Sequence, residues 1–227
     1  MSAPASKPVP HLFAGIIALG LATIVFFAAQ RVLIHLEHAT IASTAPDHFA
    51  LKNQGLAFQR AAAHSPNVLM IYGSSELRMP AAPERGNIFF RTAPTGFQVS
   101  PVGAGGADSL IMLQKIAALG TDLRGKKVAI SLSPGWFLKP GPGWLQGYTG
   151  NFSLMAASEM AFGTALDFEL KRDIALRMLK CPGTLENSPL LEFALKRLAS
   201  GHWLDRLIFC ALWPVGKIQT TVLELQD

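Results

Sequence analysis

The chain has 227 residues, half of them hydrophobic, and a formal net charge of +5. Its length allows one substantial hydrophobic core or two small ones, and its composition excludes a disordered or collagen-like chain. A basic balance suits an anionic partner, but the charges are scattered and do not alternate with aromatic residues. We therefore expect a solvated surface and no binding of nucleic acid.

The first element is an uncharged apolar run over residues 12–29. Its length is close to the roughly twenty residues that cross a bilayer as a helix. The run is longer than the core of a secretory signal, and Gln30-Arg31 follows it where a small-residue cleavage site would be expected. We predict a tail at residues 1–10 and an uncleaved transmembrane anchor at 11–31. Lys7 and Arg31 flank the anchor on opposite sides, so charge does not decide its orientation.

Residues 32–66 have scattered apolar side chains and are predicted to form a helical stalk that takes no part in chemistry. His48 and His64 lie in this segment, and we interpret them as surface residues.

An α/β core is predicted over residues 67–150. A short, continuous apolar run ended by Gly73 is typical of a strand buried on both faces, which favours a parallel sheet covered by helices. Strand, helix and strand with short links form the βαβ pattern. The predicted strands are 68–72, 98–102 and 127–132, and a helix opens near Asp108 and stops at Gly120.

From residue 151 to 227 helical periodicity dominates, with long helices predicted at 155–179 and 189–212. The stretch from Trp203 to Trp213 is apolar but short and is interrupted by Asp205-Arg206. A buried or interfacial helix is therefore favoured there over a second membrane span.

Cys181 and Cys210 are the two cysteines of the chain, too few for a four-cysteine zinc cluster or a disulfide-rich scaffold. We expect both thiols to be buried and unpaired, and we expect no metal and no cofactor. The final residues lack a turn or cap that would close a domain, and three strands make a thin sheet for so much helix. This pattern predicts an incomplete domain of a longer protein.

Three loops follow the three predicted strands, and ligands gather at the carboxyl ends of parallel strands. The first loop contains Ser74 and Ser75, either of which could project a hydroxyl into a cleft or cap a short helix. The second is rich in glycine and could form a turn or offer N–H groups to an oxyanion. It lacks the third spaced glycine of a dinucleotide-binding fingerprint. The loops are residues 73–77, 102–106 and 133–137.

Together these motifs resemble a known family. Gly-Ser-Ser-Glu-Leu after a strand, the glycine loop followed by Ser109-Leu110, and Ser-Pro-x-Trp-Phe after the next strand are similar to the DltD family of D-alanyl-lipoteichoic acid biosynthesis proteins. The domain of that family is SGNH-hydrolase-like. The N-terminal apolar helix fits the resemblance.

The resemblance implies a single-pass protein of the cytoplasmic membrane with an extracytoplasmic domain. It implies a role in transferring D-alanine onto an anionic envelope polymer, together with a D-alanyl donor or carrier and other D-alanylation proteins. Ser75 would be the nucleophile, and the N–H groups of Ser75, Gly105 and Gly106 would hold the oxyanion. The substrate cleft would include Ser133, Pro134 and Trp136.

The sequence departs from the family pattern at two points. Gly135 stands where the family usually has Gln, and the Asp-x-x-His pair that supplies the base in SGNH-type sites is missing. His202 is the only histidine after Ser75, with Ala199 three residues before it. His202 and Asp205 are interpreted as a surface pair. Two alternatives therefore stay open: a non-catalytic membrane adaptor that binds a carrier protein or partner enzyme, and a secreted SGNH esterase.

Overall fold

The computed structural model describes residues 10–48, 55–77, 95–132 and 143–226. In chain order the elements are α1 (Pro10–His48), α2 (Leu56–His64), β1 (Val68–Gly73), a 3-10 turn (Ser75–Leu77), β2 (Gln98–Gly103), α3 (Ser109–Leu119), β3 (Val128–Ile130), α4 (Gly143–Asn151), α5 (Leu154–Phe162), α6 (Phe168–Met178), α7 (Pro189–Ser200) and α8 (Trp203–Glu224). The chain divides into two compact units, Met1–Thr40 and Ile41–Asp227.

The first unit contains most of the long helix α1. Its stretch His11–Ile41 is long and apolar enough to cross a membrane, judged by length and composition. Large apolar side chains such as Leu12, Phe13 and Leu19 are exposed along it. The prediction of one apolar N-terminal helix is confirmed.

The second unit contains a three-stranded parallel sheet in the order β2-β1-β3. The register aligns Val68 with Gln98 on one side of β1 and Met70 with Val128 on the other. This confirms the prediction of a mixed α/β fold in which helices flank a parallel sheet.

Burial of the sheet is less complete than the sequence predicts. Met70 and Tyr72 of β1 are fully buried beneath helices, whereas Leu69 and Ile71 on the opposite face are only partly covered. At the β3 edge, Val128 and Ile130 are exposed. β3 is also shorter than the predicted 127–132, because its regular pairing with β1 ends at Ile130.

Helix α3 begins and ends where the sequence predicts. Asp108 is its N-cap, and the Asp108 carboxylate accepts the backbone N–H of Ile111 at 2.9 Å. Gly120 closes the helix with φ of +55°, a conformation that costs glycine little. Short local signals of this kind determine where the helix of the βαβ unit begins and ends.

The two long helices predicted after residue 151 are each broken in two. The first breaks at Gly163, and Asp167 then caps α6 by accepting the N–H of Leu170. The second breaks at Gly201, which has φ of +70°. Glycine after a helix and a capping Asp before the next outweigh the continuous apolar periodicity.

Two hydrophobic clusters stabilise the second unit. One lies between the sheet and its helices and includes Leu56, Met70, Tyr72 and Val102. The other lies within the helical layer and includes Tyr148, Phe162, Leu195 and Phe209.

The two thiols differ in exposure. Both cysteines are unpaired, as predicted, but only Cys181 is buried. Cys210 is exposed, so the prediction of two buried thiols is wrong at this position. The physical reason is that the other described helices leave this side of α8 uncovered, where Ile208 and Ala211 are exposed as well.

Candidate functional site at the carboxyl end of the sheet

The site begins where β1 and β2 end side by side. Gly73 and Gly103 face each other in the register, and a Cβ atom on Gly103 would lie 2.0 Å from the Gly73 carbonyl oxygen. Only glycine permits this approach of the two backbones. The loops that carry the candidate serines and the candidate glycine donors therefore leave the sheet next to each other.

The structure distinguishes the two serines that the sequence left equivalent. Ser74 is buried, and its Oγ donates to the Ala104 carbonyl oxygen at 3.3 Å, which joins the first loop to the second. The Ser74 N–H donates to Glu76 Oε1 at 2.6 Å. These two hydrogen bonds of Ser74 stabilise the turn.

Ser75 is exposed and begins the short 3-10 turn. Within the part of the chain that the structure describes, its hydroxyl has no hydrogen-bond partner. The turn is three residues long, so neither serine caps a regular helix here. Of the two hydroxyls, Ser75 is the one that a ligand can reach.

The glycine loop after β2 is held in place by α4. Asn151 Nδ2 donates to the Gly105 carbonyl oxygen at 3.1 Å and to the Gly147 carbonyl oxygen at 2.8 Å. Gly106 has φ of +78°, and a Cβ atom on Gly147 would lie 2.5 Å from the Gly106 carbonyl oxygen. The loop and α4 are thus in backbone contact, which fixes the direction of the peptide groups at Gly105 and Gly106.

The peptide groups of Gly105 and Gly106 have N–H donors that are available to a ligand. Among the described residues, no hydrogen bond occupies the backbone N–H groups of Gly105 and Gly106. Unused N–H groups on a rigid loop beside an exposed serine are the components of an oxyanion site. Ser133, Pro134 and Trp136, the predicted cleft residues, lie outside the described residues.

Among the described contacts, neither His64 nor His202 forms a hydrogen bond with Ser75. His64 Nε2 lies 3.1 Å from Asp122 Oδ1, but His64 precedes β1 and so lies near the amino end of the strand, about 20 Å from its carboxyl end by strand rise. Asp205 accepts from Arg197 and Ser200. Among the described residues, no hydrogen bond joins Asp205 to the His202 imidazole. No group of three or more metal-ligating side chains occurs among the residues that the structure describes.

Several buried polar groups near the loops were not identified from the sequence. Asp108 Oδ2 is buried and has no hydrogen-bond partner among the described residues, and it lies next to the Oδ1 atom that caps α3. Gln114 Nε2 donates to the Tyr148 hydroxyl at 3.0 Å, and burial raises the pKa of Tyr148. The Asp108 cap could be read from its place before a helix, but the contacts of Asn151 and Gln114 are long-range and leave no local signal.

A cleft of about 460 Å³ lies close to the loops but does not include Ser75. Its lining includes Gln59, Lys115 and Asn151. Burial lowers the pKa of Lys115. Through Asn151, the cleft shares a wall with the glycine loop.

The fold and the site define a class: a parallel α/β domain with an exposed serine and a rigid glycine loop at the carboxyl end of its sheet. The family profile described as DltD protein matches residues 47–227. The chain is also 33% identical over 217 residues to Protein DltD of Bacillus subtilis (strain 168), covering 95% of this chain and 52% of that relative. The chain belongs to the DltD family, and it spans about half the length of this relative. The resemblance inferred from the motifs is confirmed.

Proposed function

We propose that this protein acts in D-alanylation of teichoic or lipoteichoic acid, or of a similar anionic envelope polymer, and that Ser75 is its nucleophile. Membership of the DltD family supports the pathway. The observation that supports Ser75 as the nucleophile is the difference between the two serine hydroxyls. The Ser74 hydroxyl donates a hydrogen bond to the Ala104 carbonyl oxygen, while the Ser75 hydroxyl is exposed.

In the proposed chemistry, Ser75 Oγ attacks the carbonyl carbon of an activated D-alanyl ester or thioester. A new Oγ–C bond forms, and the carbonyl oxygen becomes an oxyanion that the N–H groups of Ser75, Gly105 and Gly106 stabilise. The bond to the leaving group then breaks, and the leaving group departs with the proton that Ser75 gives up. Transfer to a polymer hydroxyl or to water regenerates the serine.

Ser133, Pro134 and Trp136 are proposed to line the substrate cleft, because they follow β3 in sequence and parallel strands end at one edge. The domain is proposed to be SGNH-like. We further propose that α1 anchors the chain in the cytoplasmic membrane with the domain on the outer side, where the polymer and the other D-alanylation proteins would meet it. The apolar stretch His11–Ile41 supports the anchor.

The nucleophile is tested by labelling the purified full chain with a fluorophosphonate probe. Wild type is expected to react and Ser75→Ala is expected to lose the label. Ser109→Ala is the matched control, because Ser109 is exposed just after the second loop and begins α3. Equal labelling of wild type and Ser75→Ala would refute the assignment.

A second candidate function is a non-catalytic adaptor that presents a carrier or partner enzyme at the membrane. The contacts of His64 and His202 favour it. His64 pairs with Asp122, and among the described residues neither histidine forms a hydrogen bond with Ser75. A serine without a base is a weak nucleophile.

The two candidate functions predict different results when this chain is expressed in Bacillus subtilis cells that lack their own DltD protein. A catalytic protein restores D-alanine ester content only with Ser75 intact, whereas an adaptor restores it equally with Ser75→Ala. No restoration by either form would refute a sufficient role for this chain in the pathway.

A further inference from the structure

Helix α8 presents an unusual outer surface. The fully exposed residues between Trp203 and Glu224 are all apolar: Trp203, Leu204, Leu207, Ile208, Cys210, Ala211, Trp213, Pro214, Val215, Ile218 and Val222. Scattered exposed apolar residues are ordinary on soluble proteins, but a contiguous apolar face marks an interaction surface. The outer face of α8 is defined here as this set of residues.

The charged residues of α8 are all paired within the same unit. All four form ion pairs with other helices of that unit, and none belongs to the set of exposed apolar residues. The pairs are Asp205 with Arg197 at 2.7 Å, Arg206 with Glu169, Lys217 with Glu159 at 2.8 Å, and Glu224 with Arg60 at 2.6 Å. The fully exposed positions of α8 are therefore apolar, whereas a surface helix usually presents charged or polar residues to solvent.

The apolar face is continuous along the helix. It contains a stripe with alternating spacings of four and three residues, which keeps these side chains on one side of a helix: Leu204, Ile208, Ala211, Val215, Ile218 and Val222. The 22 residues of α8 extend about 33 Å at the helical rise of about 1.5 Å per residue. A surface of this length needs an extended apolar partner.

The chemistry of the face favours lipid over a second helix. Helical pairing uses charged residues beside the apolar seam to set register, but Leu207, Pro214 and Gln219 occupy flanking positions here. Pro214 lies inside the helix and on the exposed side. Hydrocarbon requires no charge pairs beside the apolar stripe, and exposed Trp203 suits the headgroup boundary.

We propose that the outer face of α8 lies in the interfacial region of the same bilayer that α1 spans, as a second membrane contact of the chain. Covalent attachment to α1 keeps the domain near that bilayer. The inference therefore rests on the proposed anchoring by α1, but it does not depend on Ser75 chemistry. A domain held by both contacts is restrained in its orientation to the membrane.

The native cysteines allow a direct test. Cys210 is exposed on the outer face, while Cys181 is 1% exposed, so a thiol-reactive nitroxide labels Cys210 selectively. The full chain is reconstituted in phosphatidylglycerol–phosphatidylethanolamine vesicles, with a nickel chelate present on both sides. Power-saturation spectroscopy then compares collisions with oxygen, which concentrates in the bilayer, and with the nickel chelate, which stays in water.

We expect the Cys210 label to collide with oxygen in preference to the nickel chelate. A label at Lys196→Cys in a Cys210→Ala background is the matched control, because Lys196 is an exposed charged residue on α7. It should show the opposite preference. Val215→Asp, at another exposed position of the face, should shift the Cys210 label at least several-fold toward the nickel chelate without unfolding the protein.

Four results would overturn the inference. Access of the nickel chelate to Cys210 equal to that at the Lys196→Cys control would place the face in water. Spin–spin broadening in dilute vesicles would assign it to a second copy. Shielding from both reagents would indicate that other residues of the chain cover the face. Failure of the chain to float with vesicles would refute the α1 anchor as well, whereas the first three results leave that anchor intact.

Discussion

At the scale of single residues, the fold beside Ser75 depends on Gly103. A Cβ atom there would lie 2.0 Å from the Gly73 carbonyl oxygen, a contact that only backbone movement can relieve. We expect Gly103→Ala to lower the free energy of unfolding by about 3 kcal/mol, because it separates the ends of two paired strands. Urea unfolding in detergent, followed by tryptophan fluorescence, measures the loss, since all four tryptophans lie after residue 40.

Two neighbouring glycines serve as graded controls. Gly106 has φ of +78°, so Gly106→Ala should cost about 1 kcal/mol of backbone strain. A Cβ atom on Gly105 meets nothing within 4 Å, and Gly105→Ala should leave stability nearly unchanged. A loss at Gly105 equal to that at Gly103 would contradict this account of the loop.

At the scale of elements, α8 is held against α5 through Gly216. The Phe162 and Phe209 rings stack with centroids 5.7 Å apart, and a Cβ atom on Gly216 would lie 2.2 Å from the Phe162 ring. Helix propensity alone predicts that Gly216→Ala stabilises the protein by about 1 kcal/mol. We expect the reverse, a loss of about 3 kcal/mol by the same unfolding measurement, because the buried ring has no room to move. Val215→Ala, at the exposed neighbour, should change stability little, and a raised unfolding midpoint for Gly216→Ala would show that α5 and α8 are not in this contact.

The elements also show which features the sequence could predict. Strand β1 and helix α3 were predictable because a continuous apolar run, the Asp108 cap and the Gly120 stop are local signals. The break at Gly163 was missed because the carbonyls it frees are satisfied from a distance: Trp213 Nε1 donates to Phe162 O at 2.7 Å and Lys171 Nζ to Gly163 O at 2.5 Å. The separate positions of Ser74 and Ser75 depend likewise on Ala104, thirty residues along the chain.

At the scale of the whole molecule, the chain has two tyrosines, and each is fully buried in a different hydrophobic cluster. Burial raises the pKa of Tyr72 and of Tyr148 above the usual value for a phenol. The folded state therefore holds both phenol protons more tightly than the unfolded chain. Their contribution to stability is complete below about pH 10 and is lost as the pH rises toward the folded-state pKa values.

We therefore expect no tyrosinate absorbance at 295 nm while the protein is folded, and one cooperative rise above pH 10 that coincides with the change in tryptophan fluorescence. Tyr72→Phe and Tyr148→Phe should each remove about half of the rise, since no other tyrosine contributes. The simultaneous ionisation of one phenol from each cluster would mean that the sheet core and the helical core unfold as one unit. A phenol that titrates at pH 10 before the fluorescence changes would contradict the burial of that tyrosine, and two separate steps would show that the cores are independent.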